Sequence, residues 1–410
     1  MDWRYYESNR DRIAAHRIWK EVGWITDAVA PEGLDRFITA CGQGFVCDLN
    51  GEAECLVLTA KGDLRYQRET IPLACVTGVT TSRLARKQKF AGRLTATAIA
   101  TEAAEGAAVA CLGIFDQGFY NKLGFGNGSY ERSVKFATGD LMVDVNPRVP
   151  LRLTMEDWPR IHAARLKRRR PHGSSSLFAP EFTMGRMHGP QNQFGLGYAD
   201  DPDGGLSHLI FCNTGDVAHG PYNIQYLVYR TREQFLELLA LLKSLTDQVY
   251  TVSVFEPSEI QIADFLRQPF KAHRMNGGAH STGIEAYAWW QMRICDLPAC
   301  LAQTHLPWGE VRFNLRLSDP IEQYLDDSVS WHGVGGDHVI TLGADSDSAA
   351  GHDQTLPTLK ASVNAFTRLW LGVRSATGLA ISDDLQGPPE LLEALDEVLR
   401  LPQPRPDWDF

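Results

Sequence analysis

The stretch Ile71–Phe125 constrains the fold more than any other part of the sequence. It opens with an apolar, β-branched run at 71–81, which predicts a central strand. Four cations then fall within the seven residues 83–89, followed by an Ala- and Leu-rich run at 90–105 with helical spacing. A second apolar run, 107–115, predicts another buried strand. The stretch therefore predicts strand, cationic turn, helix and strand in that order.

A strand that leads through a cationic turn into a helix is suited to binding an anion. The first turn of a helix has unpaired N–H groups and a partial positive charge, both of which favour phosphate. Most basic turns are only solvated surface, so the turn by itself is a weak signal. The aromatic segment Gly118-Phe-Tyr-Asn-Lys-Leu-Gly-Phe-Gly126, which follows the second strand, makes the pattern more specific.

Together these segments resemble the GNAT acyltransferases, and most of all their three-domain branch, the Eis (enhanced intracellular survival) family. The resemblance implies an acetyl-CoA-dependent N-acetyltransferase in which a strand edge and a loop bind the co-substrate. It also implies that Tyr120 is the acid that protonates the departing thiolate. The cofactor-binding residues implied in this way are Val79, Thr80, Thr81, Arg86, Lys87, Lys89, Phe90 and Ala91.

One residue of the loop departs from the family pattern. The family places Gly where this chain has Lys89, and Gly lets the backbone come close to a phosphate. The Lys89 side chain either obstructs that approach or adds a compensating charge, and the sequence alone does not decide between the two.

Composition and charge limit the class of protein. A chain of 410 residues is long for one core, so two or three domains are expected. The net charge of −10 argues against nucleic acid as a partner and suits a cationic amine. No apolar run follows the N-terminus and no window approaches a membrane span, so a cytoplasmic location is expected. Neither the eight cysteines nor the histidines have metal-ligand spacing, and no metal is predicted.

The order of elements predicts an α/β (α+β) protein with three domains. Residues 1–147 are expected to form a GNAT domain that ends in a strand at 129–136, and Asn50-Gly51 predicts a hairpin turn. Residues 148–282 repeat the order without a glycine-rich loop, which predicts a degenerate GNAT-like domain. Residues 283–410, with helices expected at 359–371 and 389–401, resemble a sterol-carrier-protein-like domain. Eis relatives assemble as hexamers, so the resemblance also implies a homo-oligomer.

The chain ends in Asp407-Trp-Asp-Phe410. In the Eis family the chain also ends in Phe, and the resemblance implies that its α-carboxylate reaches the active site. Lysine-like amines titrate near about 10.4, so the acceptor needs a base or a relay to one. The carboxylate of Phe410 would fill that role, although its reference pKa is only about 3.3–3.7. Asp409 adds negative charge that raises this basicity and attracts an ammonium ion.

Two hypotheses from different classes follow. The first is an N-acetyltransferase that acts on a primary amine of a cationic small molecule or peptide. The second is a non-catalytic binding or assembly protein whose donor loop is spoiled by Lys89. Tyr120 and the Phe410 terminus favour the first hypothesis. The identity of the amine and the length of the acyl chain stay open.

Overall fold

The structure, a computed structural model, describes residues 3–188, 192–268, 279 and 281–410. These residues form two compact units. The first unit comprises residues 3–129, 172–179 and 289–410, and the second comprises the described residues of 130–171 and 180–288. Within the described ranges, no helix is both long enough and apolar enough to cross a membrane.

The described ranges contain twenty strands and eleven helices. The strands are β1 (Trp3–Tyr5), β2 (Gln43–Leu49), β3 (Glu52–Tyr66), β4 (Glu69–Thr81), β5 (Val109–Gly113), β6 (Gly126–Asn127), β7 (Glu131–Ala137), β8 (Leu151–Leu153), β9 (Ser175–Leu177), β10 (Asn192–Tyr198), β11 (His208–Thr214), β12 (Tyr222–Val228), β13 (Thr251–Phe255), β14 (Gly283–Tyr287), β15 (Trp290–Ile294), β16 (Val311–Ser318), β17 (Gly336–Leu342), β18 (Asp347–Ala350), β19 (Thr358–Ser362) and β20 (Leu385–Gln386). The helices are α1 (Ser8–Glu21), α2 (Pro31–Cys41), α3 (Phe90–Ala104), α4 (Gln117–Asn121), α5 (Trp158–Leu166), α6 (Glu181–Met187), α7 (Arg232–Ser244), α8 (Leu297–Ala302), α9 (Val363–Trp370), α10 (Ala376–Ser382) and α11 (Pro389–Val398).

The first unit contains an eight-stranded sheet in the order β1-β2-β3-β4-β5-β15-β6, with β9 paired to β3. Only β4 and β5 are parallel in this sheet. Helix α3 connects them and packs against β3 and β4, burying every residue from Leu94 to Ala100. The predicted order of strand, cationic turn, helix and strand is confirmed, because a parallel pair needs such a crossover connection.

Two further predictions for this sheet can be compared with the structure. The Asn50-Gly51 turn is confirmed, with φ angles of 56° and 89° as a type I′ turn requires. The residue pattern also predicts two short strands at 54–60 and 64–70. In the structure β3 runs without a break from residue 52 to residue 66, and residues 69 and 70 already belong to β4. Gly62 lies inside β3 because β9 approaches closely there: a Cβ atom at Gly62 would lie 2.1 Å from the carbonyl oxygen of Ser176.

The first unit also contains a five-stranded sheet in the order β18-β17-β16-β19-β20. The predicted helix at 359–371 is wrong in its first part, because residues 358–362 form β19, parallel to β16. The helix α9 begins only after Ser362, whose side chain accepts the N–H of Ala365. Apolar residues at 359 and 361 suit a strand as well as a helix, and pairing with β16 decided between them.

The second unit is built on a seven-stranded sheet in the order β14-β7-β13-β12-β11-β10-β8. The strand expected to end the first domain, at 129–136, is β7, and it lies in this sheet between β14 and β13. Its alternating pattern identifies a strand but not the sheet that it joins. The mixed α/β class predicted from the sequence is confirmed, while the boundaries at 147/148 and 282/283 stay predictions.

Candidate active site

Strands β4 and β5 separate from one another in the middle of the first sheet. They pair only from Leu73–Cys75 to Val109–Cys111. Beyond this point β5 continues to Gly113 beside β15, whereas β4 continues to Thr81 beside β3. Among the described residues, no strand therefore covers the β5-facing edge of 76–81, and backbone groups along this edge are available to a ligand.

A β-bulge lies where β4 turns away. The register of β3 and β4 shifts between Leu56 and Leu58, opposite Gly78. Gly78 has a φ of 63°, and a Cβ atom there would lie 2.8 Å from side-chain carbons of Leu58. A bulge bends its strand and increases the local twist, which accounts for the divergence from β5. The sequence analysis missed this residue, although a Gly inside a strand run is a recognised sign of a bulge.

The cationic turn connects β4 to α3 and is solvent-facing. Arg86, Lys87 and Lys89 are all exposed. Lys89 is the N-cap residue of α3, and no side chain of the described residues caps this helix end. The first-turn N–H groups, including those of Phe90 and Ala91, thus lie beside three cations. Because a helix N-terminus carries a partial positive charge, the turn fits a phosphate group.

Lys87 and Lys89 both adopt a left-handed backbone conformation, with φ angles of 65° and 66°. Glycine adopts this conformation freely, whereas other residues pay about 1–2 kcal/mol for it. Lys89 therefore keeps the backbone shape expected of a Gly, and its exposed side chain points away from the protein core.

The structure brings the predicted donor residues and the predicted acid into one apolar cluster. The cluster draws on many elements of the first unit, and it includes Val79, Phe90, Ala91, Ile114, Phe119 and Tyr120. The other predicted strand residues are close in sequence: Thr80 is buried and Thr81 is half-buried. The Thr80 hydroxyl donates to the carbonyl of Gly78 at 3.2 Å.

Tyr120 lies in the short helix α4, which Asp116 caps by accepting the N–H of Phe119 at 3.2 Å. The Tyr120 ring meets Phe119 edge-on at 4.9 Å and Phe125 at 6.2 Å between ring centroids. Burial, with a smaller contribution from the charge of Asp116, raises the pKa of Tyr120 to about 12. Its hydroxyl has no hydrogen-bond partner among the described residues, yet it is not a sealed-off polar atom. Tyr120 is therefore a packed ring with a hydroxyl that faces accessible space.

The last residue of the chain lies at the end of β5. A Cβ atom at Gly113 would lie 3.6 Å from a terminal oxygen of Phe410. The Phe410 ring lies 5.5 Å from the ring of Trp289, and the carbonyl of Trp289 accepts the N–H of Ile114 at 2.6 Å. The main-chain oxygen of Phe410 thus lies beside the segment that runs from β5 into the helix carrying Tyr120. Asp409 beside it is half-buried.

The tail before Phe410 is held in place along its length. The carbonyl of Pro404 accepts from the Ser129 hydroxyl, and the carbonyl of Pro406 accepts the N–H of Ser175 at 2.7 Å. Gly173, with a φ of 81°, allows the tail to pass closely, since a Cβ atom there would lie 2.4 Å from Pro404. The carboxylate is therefore presented by a fixed segment.

Several residues of this region could not be found from the sequence. Gly113 and Trp289 carry no motif and become noticeable only through their contact with Phe410. Arg293 and Asn364 hydrogen-bond to the Tyr120 turn although both lie far along the chain from it, and Asp319 pairs with Arg293. Within the described ranges, no three His, Cys, Asp or Glu side chains are gathered as metal ligands would be.

These elements define the fold of the GCN5-related N-acetyltransferases (GNAT), as the sequence resemblance implied. The chain is similar to a GCN5-related N-acetyltransferase from Anabaena variabilis ATCC 29413, with 12% identity, a TM-score of 0.77 and coverage of 100% of both chains. It is also similar to Eis1 from Mycobacterium abscessus, with 16% identity, a TM-score of 0.76 and 100% of both chains covered. A conserved protein of unknown function from Enterococcus faecalis V583 has 16% identity and a TM-score of 0.79, over 100% of this chain and 99% of that one.

At these identities the likeness shows the fold alone, and it is consistent with tandem GNAT domains. No protein-family profile matches the chain, and no curated protein sequence matches it. The roles of individual site residues therefore rest on the geometry of this chain.

Proposed function

We propose that this chain is an acetyl-CoA-dependent N-acetyltransferase that moves an acetyl group to a primary amine of a cationic small molecule or peptide. The observation that carries the proposal is the position of the Phe410 main-chain oxygen beside Gly113, and in our proposal this oxygen belongs to an α-carboxylate. A carboxylate at this point lies on the segment that leads to Tyr120, at the mouth of the split between β4 and β5.

The donor side of the site fits acetyl-CoA. The β5-facing edge of 76–81 offers backbone N–H and C=O groups to an extended amide-containing arm. Arg86, Lys87 and the uncapped start of α3 offer positive charge to the pyrophosphate. The donor supplies the activated acetyl thioester, and this chain supplies its orientation.

Lys89 supports this proposal and weakens the non-catalytic alternative. The alternative holds that Lys89 spoils a loop that needs Gly. However, Lys89 has a φ of 66°, which is the backbone conformation for which Gly is ordinarily needed, and the Lys89 side chain is exposed. The backbone therefore keeps the conformation that a close approach to a phosphate needs, and in our proposal the ammonium group adds attraction.

The chemistry requires two proton movements. The amine nitrogen forms a bond to the acetyl carbonyl carbon, and the bond from that carbon to sulfur breaks. In our proposal the Phe410 carboxylate, directly or through water, accepts the proton that the amine loses, and the Tyr120 hydroxyl protonates the departing thiolate. The products are then an amide and a free thiol.

The pKa of Tyr120 decides how costly the second step is. Its pKa of about 12 keeps the phenol protonated at neutral pH. Transfer to a thiolate whose thiol titrates near about 8.5 is uphill by roughly 3.5 units, or about 5 kcal/mol. A turnover near 10 s⁻¹ corresponds to a total barrier of about 16 kcal/mol, and the free energy of the proton transfer is well below this barrier.

Negative charge supports a cationic acceptor. The Phe410 carboxylate and the adjacent Asp409 place two negative groups at the end of the chain, in a protein with a net charge of −10. Both groups attract an ammonium ion and so raise the concentration of a cationic substrate near the site. We assign substrate attraction to Asp409 on this ground.

The remaining finer predictions belong to the same proposal. The five-stranded sheet with α9, α10 and α11 supports a sterol-carrier-protein-like fold for the last part of residues 283–410, with a packing and positioning role. A homo-oligomer and a cytoplasmic location follow from the Eis resemblance and from the sequence, and both are proposed together with the activity.

The test combines donor binding with turnover. Acetyl-CoA is titrated into the purified protein by calorimetry, and thiol release is followed with polyamines, aminoglycosides and lysine peptides as acceptors. The eight cysteines are all buried, so a thiol reagent reports mainly the released coenzyme. We expect donor binding and turnover with at least one cationic amine. Binding without turnover on every amine would favour the non-catalytic alternative, and no binding would refute the donor site.

A second arm tests the terminus. A C-terminal tag moves the α-carboxylate away from Gly113, whereas an N-terminal tag leaves it in place. We expect the C-terminal tag to abolish acetyl transfer and the N-terminal tag to preserve it. Full activity in the C-terminally extended protein would remove the Phe410 carboxylate from the mechanism.

A further inference from the structure

The first unit contains an ion pair whose two side chains are completely inaccessible to solvent. Nη2 of Arg293 lies 2.6 Å from Oδ2 of Asp319, and both side chains are 0% exposed. A buried ion pair is costly to desolvate, and apolar residues of similar volume often serve stability equally well. A role in fixing geometry is the best-attested reason to keep such a pair.

Arg293 holds the turn that follows Tyr120. Its Nη1 donates to the carbonyl of Leu123, and the N–H of Leu123 donates to the carbonyl of Tyr120 at 2.9 Å. Gly124 has a φ of 85°, and a Cβ atom there would lie 2.6 Å from Nη1 of Arg293. The guanidinium group is thus in direct contact with the backbone one turn from the proposed acid.

A second side chain holds the same turn. Nδ2 of Asn364 donates to the carbonyls of Asn121 and Phe125, at 2.8 Å and 2.9 Å. The carbonyl groups of Asn121, Leu123 and Phe125 are therefore all engaged by residues from far along the chain. Hydrogen bonds of this kind determine the direction of a backbone segment, which apolar packing alone does not.

Asp319 connects the pair to the donor side. Its Oδ2 also accepts the N–H of Val334 at 3.0 Å, and its Oδ1 caps the 3₁₀ turn Pro320–Tyr324. The Tyr324 ring at the end of this turn packs on the first turn of α3, since a Cβ atom at Gly92 would lie 3.3 Å from it. One buried ion pair therefore links the Tyr120 turn to the helix that begins at the cationic turn.

We propose that Arg293 and Asp319 form a positioning pair that sets the Tyr120 hydroxyl against the start of α3. This inference rests on the proposed function for its catalytic consequence. Neither residue touches substrate in this arrangement. The pair acts through the Leu123 carbonyl on one side and through Tyr324 on the other.

The first experiment is structural and needs no enzymatic activity. The double variant Arg293→Met/Asp319→Asn removes both charges, so that no buried charge is left without a partner. The matched control Arg4→Met/Asp11→Asn removes another pair with a buried carboxylate, whose Nη1 and Oδ2 atoms are 2.6 Å apart. The full-length protein is labelled with 3-fluorotyrosine, and the Tyr120 resonance is assigned by its loss in Tyr120→Phe.

We expect the fluorine resonance of Tyr120 to shift or broaden in the double variant and to stay in place in the control. A Tyr120 resonance that does not move in the folded double variant would overturn the proposal. If the double variant does not fold, Arg293→Lys replaces it. Lys keeps the charge but lacks the two guanidinium nitrogens that donate to Leu123 and Asp319, so the Tyr120 resonance should shift in this variant as well. An unmoved resonance in Arg293→Lys would likewise count against the pair.

The second experiment is kinetic. We expect the double variant to lower kcat by about 10–10²-fold with the KM for acetyl-CoA little changed, the loss typical of a misplaced catalytic group. In a Tyr120→Phe background the same double change should cause no further loss. Full additivity of the two losses would mean that the pair does not act through Tyr120. If the wild-type protein transfers no acetyl group, the proposed function fails, and the fluorine experiment still decides the role of the pair.

Discussion

Phe410 and Gly113 are 297 residues apart in sequence and lie next to each other in the structure. A Cβ atom at Gly113 would lie 3.6 Å from a terminal oxygen of Phe410 and 3.9 Å from its Cβ atom. These are ordinary van der Waals distances, so Gly113 accepts a methyl group, and we expect a larger, branched side chain to press against Phe410. A substitution at Gly113 can therefore displace the proposed carboxylate without any change to Phe410 itself.

The first prediction compares a small and a branched side chain at position 113. Gly113→Ala should leave acetyl transfer close to the wild-type rate, because its methyl group fits at 3.6 Å. Gly113→Val should push the carboxylate away and lower kcat by at least about 10-fold, as expected when a catalytic base is displaced by an ångström. Steady-state kinetics and thermal unfolding of both variants provide the measurement. Equal rates in two folded variants would show that the carboxylate position does not matter.

The second prediction concerns the acid. Tyr120→Phe removes a hydroxyl with no hydrogen-bond partner among the described residues and keeps the ring in its cluster. Thermal stability at neutral pH should therefore change little, while kcat should fall by about 10²–10⁴-fold with donor affinity unchanged. Donor affinity is measured by calorimetry and kcat by thiol release. A near-normal rate would return Tyr120 to a packing role.

The third prediction follows from the raised pKa of Tyr120, from about 10 to about 12. A phenol that ionises less readily when folded contributes stability below pH 10, and this contribution is lost as pH rises toward 12. Relative to Tyr120→Phe, the wild-type free energy of unfolding should fall by about 1.4 kcal/mol between pH 8 and pH 11. Denaturant unfolding of both proteins at each pH measures the difference. Parallel curves over that range would show that the pKa is not raised.

The fourth prediction concerns the cationic turn. Arg86→Ala/Lys87→Ala should weaken acetyl-CoA binding strongly, and less so at high salt, because both side chains are exposed and charge attraction is screened. Arg93→Ala, which removes an exposed cation from α3 rather than from the cationic turn, is the matched control and should have a smaller effect. Calorimetric titrations at low and high salt test both. Equal affinity in the double variant and the wild type would place the donor elsewhere.

The fifth prediction separates the backbone of Lys89 from its charge. Lys89→Gly relieves the left-handed strain but adds freedom to the unfolded chain, so stability should rise by no more than about 1 kcal/mol. Acetyl-CoA affinity should fall, because the backbone already has the conformation of a Gly and only the ammonium charge is lost. Lys89→Gln is the control that removes the charge without a glycine. Tighter binding in Lys89→Gly than in the wild type would mean that Lys89 obstructs the donor.

Some features of this protein follow from the sequence alone because they depend on neighbouring residues. The Asn50-Gly51 turn needs only two residues that tolerate positive φ. The succession of β4, cationic turn, α3 and β5 needs only the change from strand to helix periodicity, which can be read within a window of ten to twenty residues. The motif around Tyr120 is local in the same way. The sequence was sufficient to predict these local elements, and together they indicate the fold class.

Other features were decided by partners that are distant in sequence. Gly62 looks like a break between two strands, yet it lies inside β3 because β9 packs against it. Residues 358–362 have a pattern that suits a helix, yet they form a strand because they pair with β16. The strand β7 joins the second sheet although it follows the first in the chain. In each case a local pattern allowed two outcomes, and hydrogen bonding to a remote strand selected one.

The candidate site is divided in the same way. The residues that would bind the donor and the proposed acid lie within one continuous stretch, and the sequence alone was enough to nominate them. The contact of Phe410 with Gly113 and the hold of Arg293 on Leu123 join segments more than 150 residues apart, and no periodicity encodes them. Sequence determines which backbone conformations and buried faces are available. Only the tertiary structure decides which of those faces meet, because that choice depends on the packing of the entire unit at once.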